Sequence, residues 1–334
     1  MTQQELDQLA QSLLAGRGFA HKVDIGDVLG SLNAAAHISA SGSKDLIAIG
    51  DDCAAIPDGD GYLLFAIEGF VEDFVKHMPW FAGYCGVMVN VSDIAAMGGR
   101  PVAVVDALWS RGMHPASEVL KGMSEASYRY GVPVVGGHTN NKSDSGQLAV
   151  AILGRANKLL TSFDARPGDA LLMAIDLRGQ YEEDQPYWNA STRAPAARLR
   201  ADLELLPLLA ESGLCDAAKD ISMAGAIGTA LMLTECSKVG ADINVEAIPR
   251  PDGVPLLRWL QSFPSFGFVL SVRQEKVAEV ITRFAARDIA CADVGTVNDS
   301  SELWLSSHSR RSLLWDWQKD TFITARSPGV KAAA

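Results

Sequence analysis

One short stretch constrains the fold of this chain more than any other: Asn90-Val91-Ser92-Asp93-Ile94-Ala95-Ala96-Met97-Gly98. It ends a longer segment, Pro79 to Met97, in which apolar residues recur on one side at the spacing of an α-helix. The stretch therefore predicts the end of a helix with an apolar side. It also places a single carboxylate, that of Asp93, among apolar and small residues.

Strand-like segments precede and follow this helix. One apolar run leads directly into Gly50-Asp51-Asp52, a second run ends at Glu68, and a third leads into Gly136-Gly137-His138-Thr139. The predicted strands are Leu46–Ile49, Tyr62–Ile67, Val102–Leu108, Val132–Val135 and Gln147–Leu153, and a second helix is predicted over Ala116–Tyr130.

Acidic residues collect at the ends of these strands and in the helix. Asp51 and Asp52 follow one strand, Glu68 follows the next, and Asp93 lies in the helix. If the strands are neighbours, the carboxylates converge and repel one another unless cations lie among them. Oxygen ligands of this kind suit Mg²⁺, which completes its shell with water and substrate phosphates. The pattern predicts an ATP-phosphate site, although each acid taken alone would be interpreted as a solvated surface group.

The run Gly136-Gly137-His138-Thr139 is the second candidate binding feature. Paired glycines after a strand let the backbone come close to a ligand, and backbone amides can hold a phosphate. The run is not a Walker motif, because no Gly-Lys-Ser/Thr is present. We predict that Gly136, Gly137, His138 and Thr139 bind the nucleotide. His138 could act as a metal ligand, as a phosphate contact or as a hydrogen-bonded core residue.

The second half of the chain differs in composition, and the turn Arg166-Pro167-Gly168-Asp169 opens a new strand there. At 334 residues a single core would be near its growth limit. We predict an α+β fold with one domain over residues 1–160, a second over residues 161–325 and a flexible tail over residues 326–334.

Composition excludes several classes of protein. The net charge of -11 argues against a nucleic-acid partner, because the phosphate backbone would be repelled. No apolar run reaches membrane-spanning length, which predicts no membrane partner, and the polar N-terminus does not resemble a signal peptide. The five cysteines form no CxxC motif, which argues against a disulfide framework. These features predict a cytoplasmic protein.

Four segments resemble a known superfamily. The segment from Gly50 to Ile56 is similar to the GDDAAV segment of thiamine-monophosphate kinase, and Asn90–Gly98 is similar to its NLSDLAAMG helix. The run Gly136–Thr139 resembles the GGDT or GGET of the family, with His in the third place as in selenophosphate synthetase. Asp220-Ile221-Ser222 resembles the DISDG motif of the second domain. The chain is identified as a member of the superfamily of aminoimidazole ribonucleotide synthetase, thiamine-monophosphate kinase, selenophosphate synthetase and hydrogenase-maturation dehydratase.

The resemblance implies a two-domain synthetase-like fold. The N-terminal domain would be a sheet with helices on its outer face that binds ATP and metal and pairs with a second copy in a homodimer. The C-terminal domain would be an α/β sandwich for substrate and nucleotide. ATP would be a co-substrate held through Mg²⁺ by the family's aspartates, which by position are Asp51, Asp52, Asp93 and Asp220. Glu68 takes the place of a further metal-binding aspartate and is one methylene longer.

The departures from the family define a branch with its own substrate. The second Asp of DISDG is replaced by Met223, and the DGVGTK segment of aminoimidazole ribonucleotide synthetase is absent. We predict an ATP- and Mg²⁺-dependent phosphotransferase or synthetase that acts on an unidentified small metabolite and is related to thiamine-monophosphate kinase. The alternative is a catalytically inactive nucleotide-binding or regulatory subunit of a biosynthetic complex.

Overall fold

The computed structural model describes residues 1–35 and 49–325 of the chain. The predicted strand Leu46–Ile49, apart from its last residue, and the predicted flexible tail over residues 326–334 lie outside these ranges. Within the described ranges, no helix combines the length and apolar character that crossing a bilayer requires.

The chain divides into two compact units that are each assembled from separate segments. The first unit comprises residues 52–160 and 190–213, and the second comprises the described residues 1–35, 49–51, 161–189 and 214–325. A single cut near residue 160 therefore does not reproduce the two units. Residues 1–35 and 49–51 belong with the C-terminal half of the chain, and residues 190–213 belong with the N-terminal half.

The first unit is a mixed sheet with helices on one face. Its elements in the described residues are β1 (Ala54–Asp58), β2 (Gly61–Phe70), α3 (Glu72–His77), α4 (Pro79–Ala96), β3 (Arg100–Arg111), α5 (Met113–Tyr130), β4 (Val134–Asn140), β5 (Lys142–Ala156), α6 (Ala196–Leu203) and α7 (Leu205–Glu211). The strand order is β1-β2-β5-β3-β4. Neighbouring strands are antiparallel except for β3 and β4, which are parallel because α5 crosses over between them.

Helix α4 is buried on almost all sides, and glycine allows its close packing. A Cβ atom on Gly83 would lie 2.0 Å from the Val119 carbonyl oxygen of α5, and one on Gly122 would lie 1.9 Å from the Trp80 carbonyl oxygen of α4. Side chains at these positions would separate the two helices. The glycines thus fix the position of α4, which contacts β2, β3 and β5 with its other side.

The opposite face of this sheet is apolar and exposed, and we call it the open face. It carries Phe65 and Ile67 of β2, which are 51% and 65% exposed, with Leu153 of β5 opposite Phe65 and Val105 of β3 further along the sheet. Alternation along the strands sends their neighbours, such as Leu64 and Val104, into the core beneath the helices.

The second unit is built around a separate sheet. Its elements in the described residues are α1 (Gln3–Leu14), α2 (Arg17–Ala35), β6 (Ala170–Ile175), β7 (Gln180–Tyr181), β8 (Trp188–Asn189), β9 (Ala217–Asp220), α8 (Gly225–Ser237), β10 (Gly240–Asn244), α9 (Leu256–Leu260), β11 (Gly267–Val272), α10 (Val277–Ala285), β12 (Ala290–Asn298), β13 (Glu302–Ser307) and β14 (Arg310–Asp316). The strand order of the main sheet is β14-β13-β10-β12-β6-β11-β9, while β7 and β8 form a small separate pair.

The centre of this second sheet is buried on both faces, since every residue of β6 and β11 is buried. Helix α8 is likewise buried along most of its length. At the N-terminus, Thr2 and Glu5 form a capping box that starts α1, and its buried residues Leu6, Leu9 and Leu13 recur at helical spacing. These leucines explain how α1 packs against β14.

The fold class predicted from the sequence is confirmed. The structure has the mixed helix and sheet content of the two-domain synthetase-like fold, and the predicted helix Pro79–Met97 is α4 to within one residue. The predicted helix Ala116–Tyr130 begins three residues earlier, as α5. The strand predicted to end before Glu68 instead continues to Phe70, so that Glu68 lies inside β2.

Candidate functional site

Two of the predicted metal ligands come together within the first unit. Asp93 lies in the last turn of α4 and is 6% exposed, and Asp52 lies just before β1 and is half-buried. Each offers a carboxylate oxygen, and the two oxygens lie within 4.8 Å of each other. Like charges at this separation repel in a poorly solvated place, so the pair favours a cation.

Helix α4 brings further oxygen atoms to the same region of the first unit. Asn90 lies one helical turn before Asp93, and its amide nitrogen donates to the carbonyl oxygens of Gly86 at 2.7 Å and Val150 at 3.0 Å. These two bonds fix the orientation of the Asn90 amide group, so that the remaining atom, Oδ1, is available as an acceptor. Within the described residues, that buried Oδ1 and the Ser92 hydroxyl have no hydrogen-bond partner.

These groups fit a hard divalent cation. Carboxylate oxygens are donors that Mg²⁺ uses in proteins, and amide oxygens such as Asn90 Oδ1 are a second such type. Among the described residues, no thiolate or imidazole group joins Asp52 and Asp93. A buried polar oxygen without a partner needs an explanation, and a bound ion or ordered water is a common one. Asp52 and Asp93 would hold the cation, and Asn90 would contribute from the same side of the helix.

Asp51 has a different environment from its neighbour Asp52. Its two carboxylate oxygens accept hydrogen bonds from the backbone nitrogen of Ser162 at 2.7 Å and from the Ser162 hydroxyl at 2.6 Å. All of these atoms belong to the second unit. Asp51 thus binds to Ser162 within the second unit, while its predicted role as a metal ligand stays a prediction.

Asp220 is the last residue of β9 and is buried in the second unit. Its Oδ2 atom accepts a hydrogen bond from the Ser265 hydroxyl at 3.3 Å. The next residue, Ile221, continues the pairing with Gly267 through its backbone nitrogen, so the strand end is firmly held. The prediction that Asp220 acts with the acids of the first unit stays a prediction.

Glu68 is exposed within β2, where it pairs with Val150 of β5. Among the described residues, its carboxylate is not grouped with those of Asp52 and Asp93. The sequence pattern predicted Glu68 at the end of a strand, because Gly69 and Phe70 were not predicted to continue that strand. As a metal ligand it therefore remains a prediction.

The predicted phosphate-binding run is not a loop in this structure. Gly136, Gly137, His138 and Thr139 lie within the edge strand β4 and are all exposed. His138 pairs with Ala107 of β3, and because successive strand residues point to opposite faces, it lies on the open face. The centroids of the His138 and Trp109 rings are 6.1 Å apart. A core position for His138 is thus excluded, while nucleotide binding by the run stays a prediction.

The two glycines of this run differ in their surroundings. A Cβ atom on Gly136 would meet nothing within 4 Å, whereas one on Gly137 would lie 2.3 Å from the Asp106 carboxylate and 2.6 Å from the Asp106 carbonyl oxygen. The close approach of Asp106 therefore requires glycine at position 137, whether or not this residue also contacts a phosphate.

Asp106 is a residue that sequence reasoning missed. It interrupts the apolar strand β3, and burial raises the pKa of its carboxyl group. Within the described residues, its buried Oδ2 atom has no hydrogen-bond partner. The signal that could have found it is a lone acid in the otherwise apolar run Val102–Leu108.

Gly137→Ala should destabilise the protein by about 1–3 kcal/mol, because the added methyl group would force β3 and β4 apart. Adding Asp106→Ala should recover part of this loss, since it removes the nearer clashing atom and leaves the carbonyl oxygen. Urea unfolding of both single variants and the double variant measures this coupling. The matched control is Gly136→Ala, which should change stability little. Strictly additive effects at 106 and 137 would show that the contact is not the reason for the glycine.

Family models match both halves of the chain. The model described as "AIR synthase related protein, N-terminal domain" matches residues 50–156, and the one described as "AIR synthase related protein, C-terminal domain" matches residues 167–306. Together they cover more than half of the chain. The chain belongs to the AIR synthase related protein family.

Relatives of known sequence extend over most of the chain. An uncharacterised protein of Synechocystis is 50% identical over 280 residues, which is 84% of this chain and 87% of the relative. A thiamine-monophosphate kinase of Pyrococcus horikoshii is 29% identical over 259 residues, which is 70% of this chain and 80% of the kinase. The chain is thus related to enzymes of this family that include kinases.

Solved structures show the same fold. Thermotoga maritima PurL complexed with ATP superposes with a TM-score of 0.70 at 18% sequence identity, over 84% of this chain and 48% of PurL. This chain spans about half the length of that PurL chain. At this level of identity the likeness concerns the fold.

Proposed function

We propose that this protein is an ATP- and Mg²⁺-dependent phosphotransferase or synthetase that acts on a small metabolite. The observation that carries the proposal is the pair formed by Asp52 and Asp93, whose carboxylate oxygens lie within 4.8 Å of each other in the first unit. Holding two carboxylates this close without a cation costs free energy, and a Mg²⁺-bound nucleotide phosphate would offset the repulsion.

The relatives support ATP as the co-substrate. A thiamine-monophosphate kinase is among them, and a structure of similar fold was solved with ATP. The segments that carry Asp52 and Asp93 fall inside the match to the N-terminal family model. We therefore assign the nucleotide phosphates to the side of the first unit where α4 ends.

The chemistry asked of the chain is mainly positioning and charge stabilisation. Phosphoryl transfer passes through a transition state whose charge is spread over the phosphate oxygens, and bound Mg²⁺ supplies positive charge there. Asp52 and Asp93 would orient the cation, and the amide of Asn90, fixed by Gly86 and Val150, would limit how the cation can sit. Such a site needs no protein nucleophile.

Substrate choice would depend on residues outside this carboxylate pair. The segment 179–193 is rich in aromatic residues that could contact a substrate, but two of them pack within the second unit. Trp188 is buried, donates to the Asp176 carbonyl oxygen and packs edge-on against Trp259, while the Tyr181 hydroxyl bonds to Ser262. These contacts support a structural role for Trp188 and Tyr181.

The exposed apolar open face supports a homodimer as the working form. Phe65, Ile67, Val105 and Leu153 present apolar area on one sheet face, which is unusual for a surface that contacts only water. A second copy of the same face would cover it in a twofold arrangement.

The proposal is tested by nucleotide turnover in the presence of a fractionated metabolite extract. We expect release of ADP that requires both Mg²⁺ and one metabolite fraction. An enzyme-coupled assay measures the ADP. Asp93→Asn is the matched variant and should abolish the signal. Tight MgATP binding without turnover in any fraction would favour the regulatory subunit instead, and the absence of both would overturn the proposal.

A further inference from the structure

A buried polar network in the second unit surrounds Ser162. Both the backbone nitrogen and the hydroxyl group of this residue donate to the carboxylate of Asp51, at 2.7 Å and 2.6 Å. Its carbonyl oxygen accepts from the Ser237 hydroxyl at 2.7 Å, at the end of α8. Ser162 itself is fully buried, so this arrangement fixes the Asp51 carboxylate in one orientation.

Lys219 completes the network from β9. Its ammonium group lies 3.4 Å from the Ser162 hydroxyl oxygen, to which it donates, and the residue is only 4% exposed. The two residues before it in β9 are alanines, and the strand is buried throughout. An ammonium group in such a place is costly unless negative charge compensates it, and a methionine of similar size would avoid the cost.

The network reaches the candidate metal site through the chain itself. Asp51 precedes Asp52, and Gly50 before it has a φ of 122°, which favours glycine. The Gly50 carbonyl oxygen also accepts from the Cys236 thiol at 3.4 Å. Whatever fixes Asp51 therefore fixes the backbone that leads into Asp52.

We propose that Lys219 is a positioning residue that acts through Ser162 and Asp51 to hold residues 50–52 in the arrangement that metal and nucleotide binding need. The inference rests on the proposed function, and it adds two residues that are outside the acidic motifs. Because Lys219 donates to the Ser162 hydroxyl, the proton of that hydroxyl is directed at Asp51. Residues 50 and 51 are then ordered in advance, and less free energy is spent on ordering them during binding.

The first test measures how readily residues 50–53 open locally in the absence of nucleotide. Lys219→Met keeps the length of the side chain and removes the charge. Amide hydrogen exchange of a peptide that covers residues 50–53 should become at least about tenfold faster in this variant, because local opening costs less free energy. Lys219→Arg should restore slow exchange. The matched control is Lys121→Met on the exposed side of α5, which should leave exchange unchanged.

The second test measures the consequence for binding. Mn²⁺ replaces Mg²⁺ as a spectroscopic probe, together with the ATP analogue AMPPCP. We expect Lys219→Met to weaken Mn²⁺–AMPPCP binding by about tenfold, which is typical for the loss of a residue that supports a metal site. The electron paramagnetic resonance signal of the bound Mn²⁺ should also broaden, because residues 50–52 are held less uniformly. Ser162→Ala should act in the same direction, and combining the two changes should add little.

The outcomes separate this inference from the proposed function. Failure of the wild-type protein to bind Mn²⁺–AMPPCP would overturn the proposed function, while the exchange experiment would still judge the positioning role. If residues 50–53 of folded Lys219→Met exchange their amide hydrogens as slowly as in the wild type, the inference is overturned. If that variant does not fold, Ser162→Ala takes its place, and unchanged exchange there overturns it equally.

Discussion

Asp93→Asn should weaken binding of a Mg²⁺–nucleotide complex by about a hundredfold or more, at least as much as losing a group that merely supports a metal ligand. The change keeps the shape of a side chain that is buried at the end of α4 and removes its charge. The cation would then be held by Asp52 without its partner. Isothermal titration with AMPPCP at fixed Mg²⁺ measures the loss.

The fold should survive this change. Without metal, Asp93→Asn relieves the repulsion with Asp52, so the melting temperature in EDTA should not fall. Asp60→Asn is the matched control, because its side chain is fully exposed in the same unit, and it should behave as wild type. Unchanged MgATP affinity in folded Asp93→Asn would remove Asp93 from the metal site.

Phe65→Asp should dissociate the proposed homodimer into monomers at micromolar concentration. Phe65 is 51% exposed on the open face and lies opposite Leu153, so a carboxylate there would be buried without a partner in a twofold dimer. Burying an unpaired charge costs several kcal/mol, and about 3 kcal/mol already weakens association roughly a hundredfold. Light scattering coupled to size exclusion measures the mass.

Leu208→Asp is the control for the dimer experiment. Leu208 is an exposed apolar residue of the same unit, but it lies on α7 and not on the sheet. Its replacement should leave the dimer intact. A wild-type protein that is already monomeric, or a Phe65→Asp variant that remains dimeric, would show that the open face is not a homodimer interface.

Local patterns in the sequence were sufficient for α4 and its carboxylate. Apolar spacing over Pro79–Met97 fixed the helix, and the lone Asp93 within it indicated a functional acid. The prediction for Asp52 rested on its place after a strand-like run. These features depend on residues that are close in sequence, and short-range periodicity records them.

The remaining parts of the site depend on contacts between distant residues. The Asp51 carboxylate is bound by Ser162, which is 111 positions away, and no local pattern distinguishes Asp51 from its neighbour Asp52. Likewise, the contact between Gly137 and Asp106 of the neighbouring strand is visible only after β3 and β4 are paired. Strand register and hydrogen-bond partners are not recorded in local patterns, so these contacts of Asp51 and Gly137 could not be predicted.

The segmented second unit has a consequence for how the chain folds during synthesis. Helix α1 is complete after Leu14, but it packs against β14, which begins at Arg310. At a synthesis rate of about 5–20 residues per second, α1 waits on the order of 15–60 s for its partner strand. The first unit is also interrupted, yet it has all of its described residues by position 213. The whole sequence of the first unit is therefore synthesised well before translation ends. The apolar side of α1, by contrast, must be protected from aggregation until translation is nearly finished.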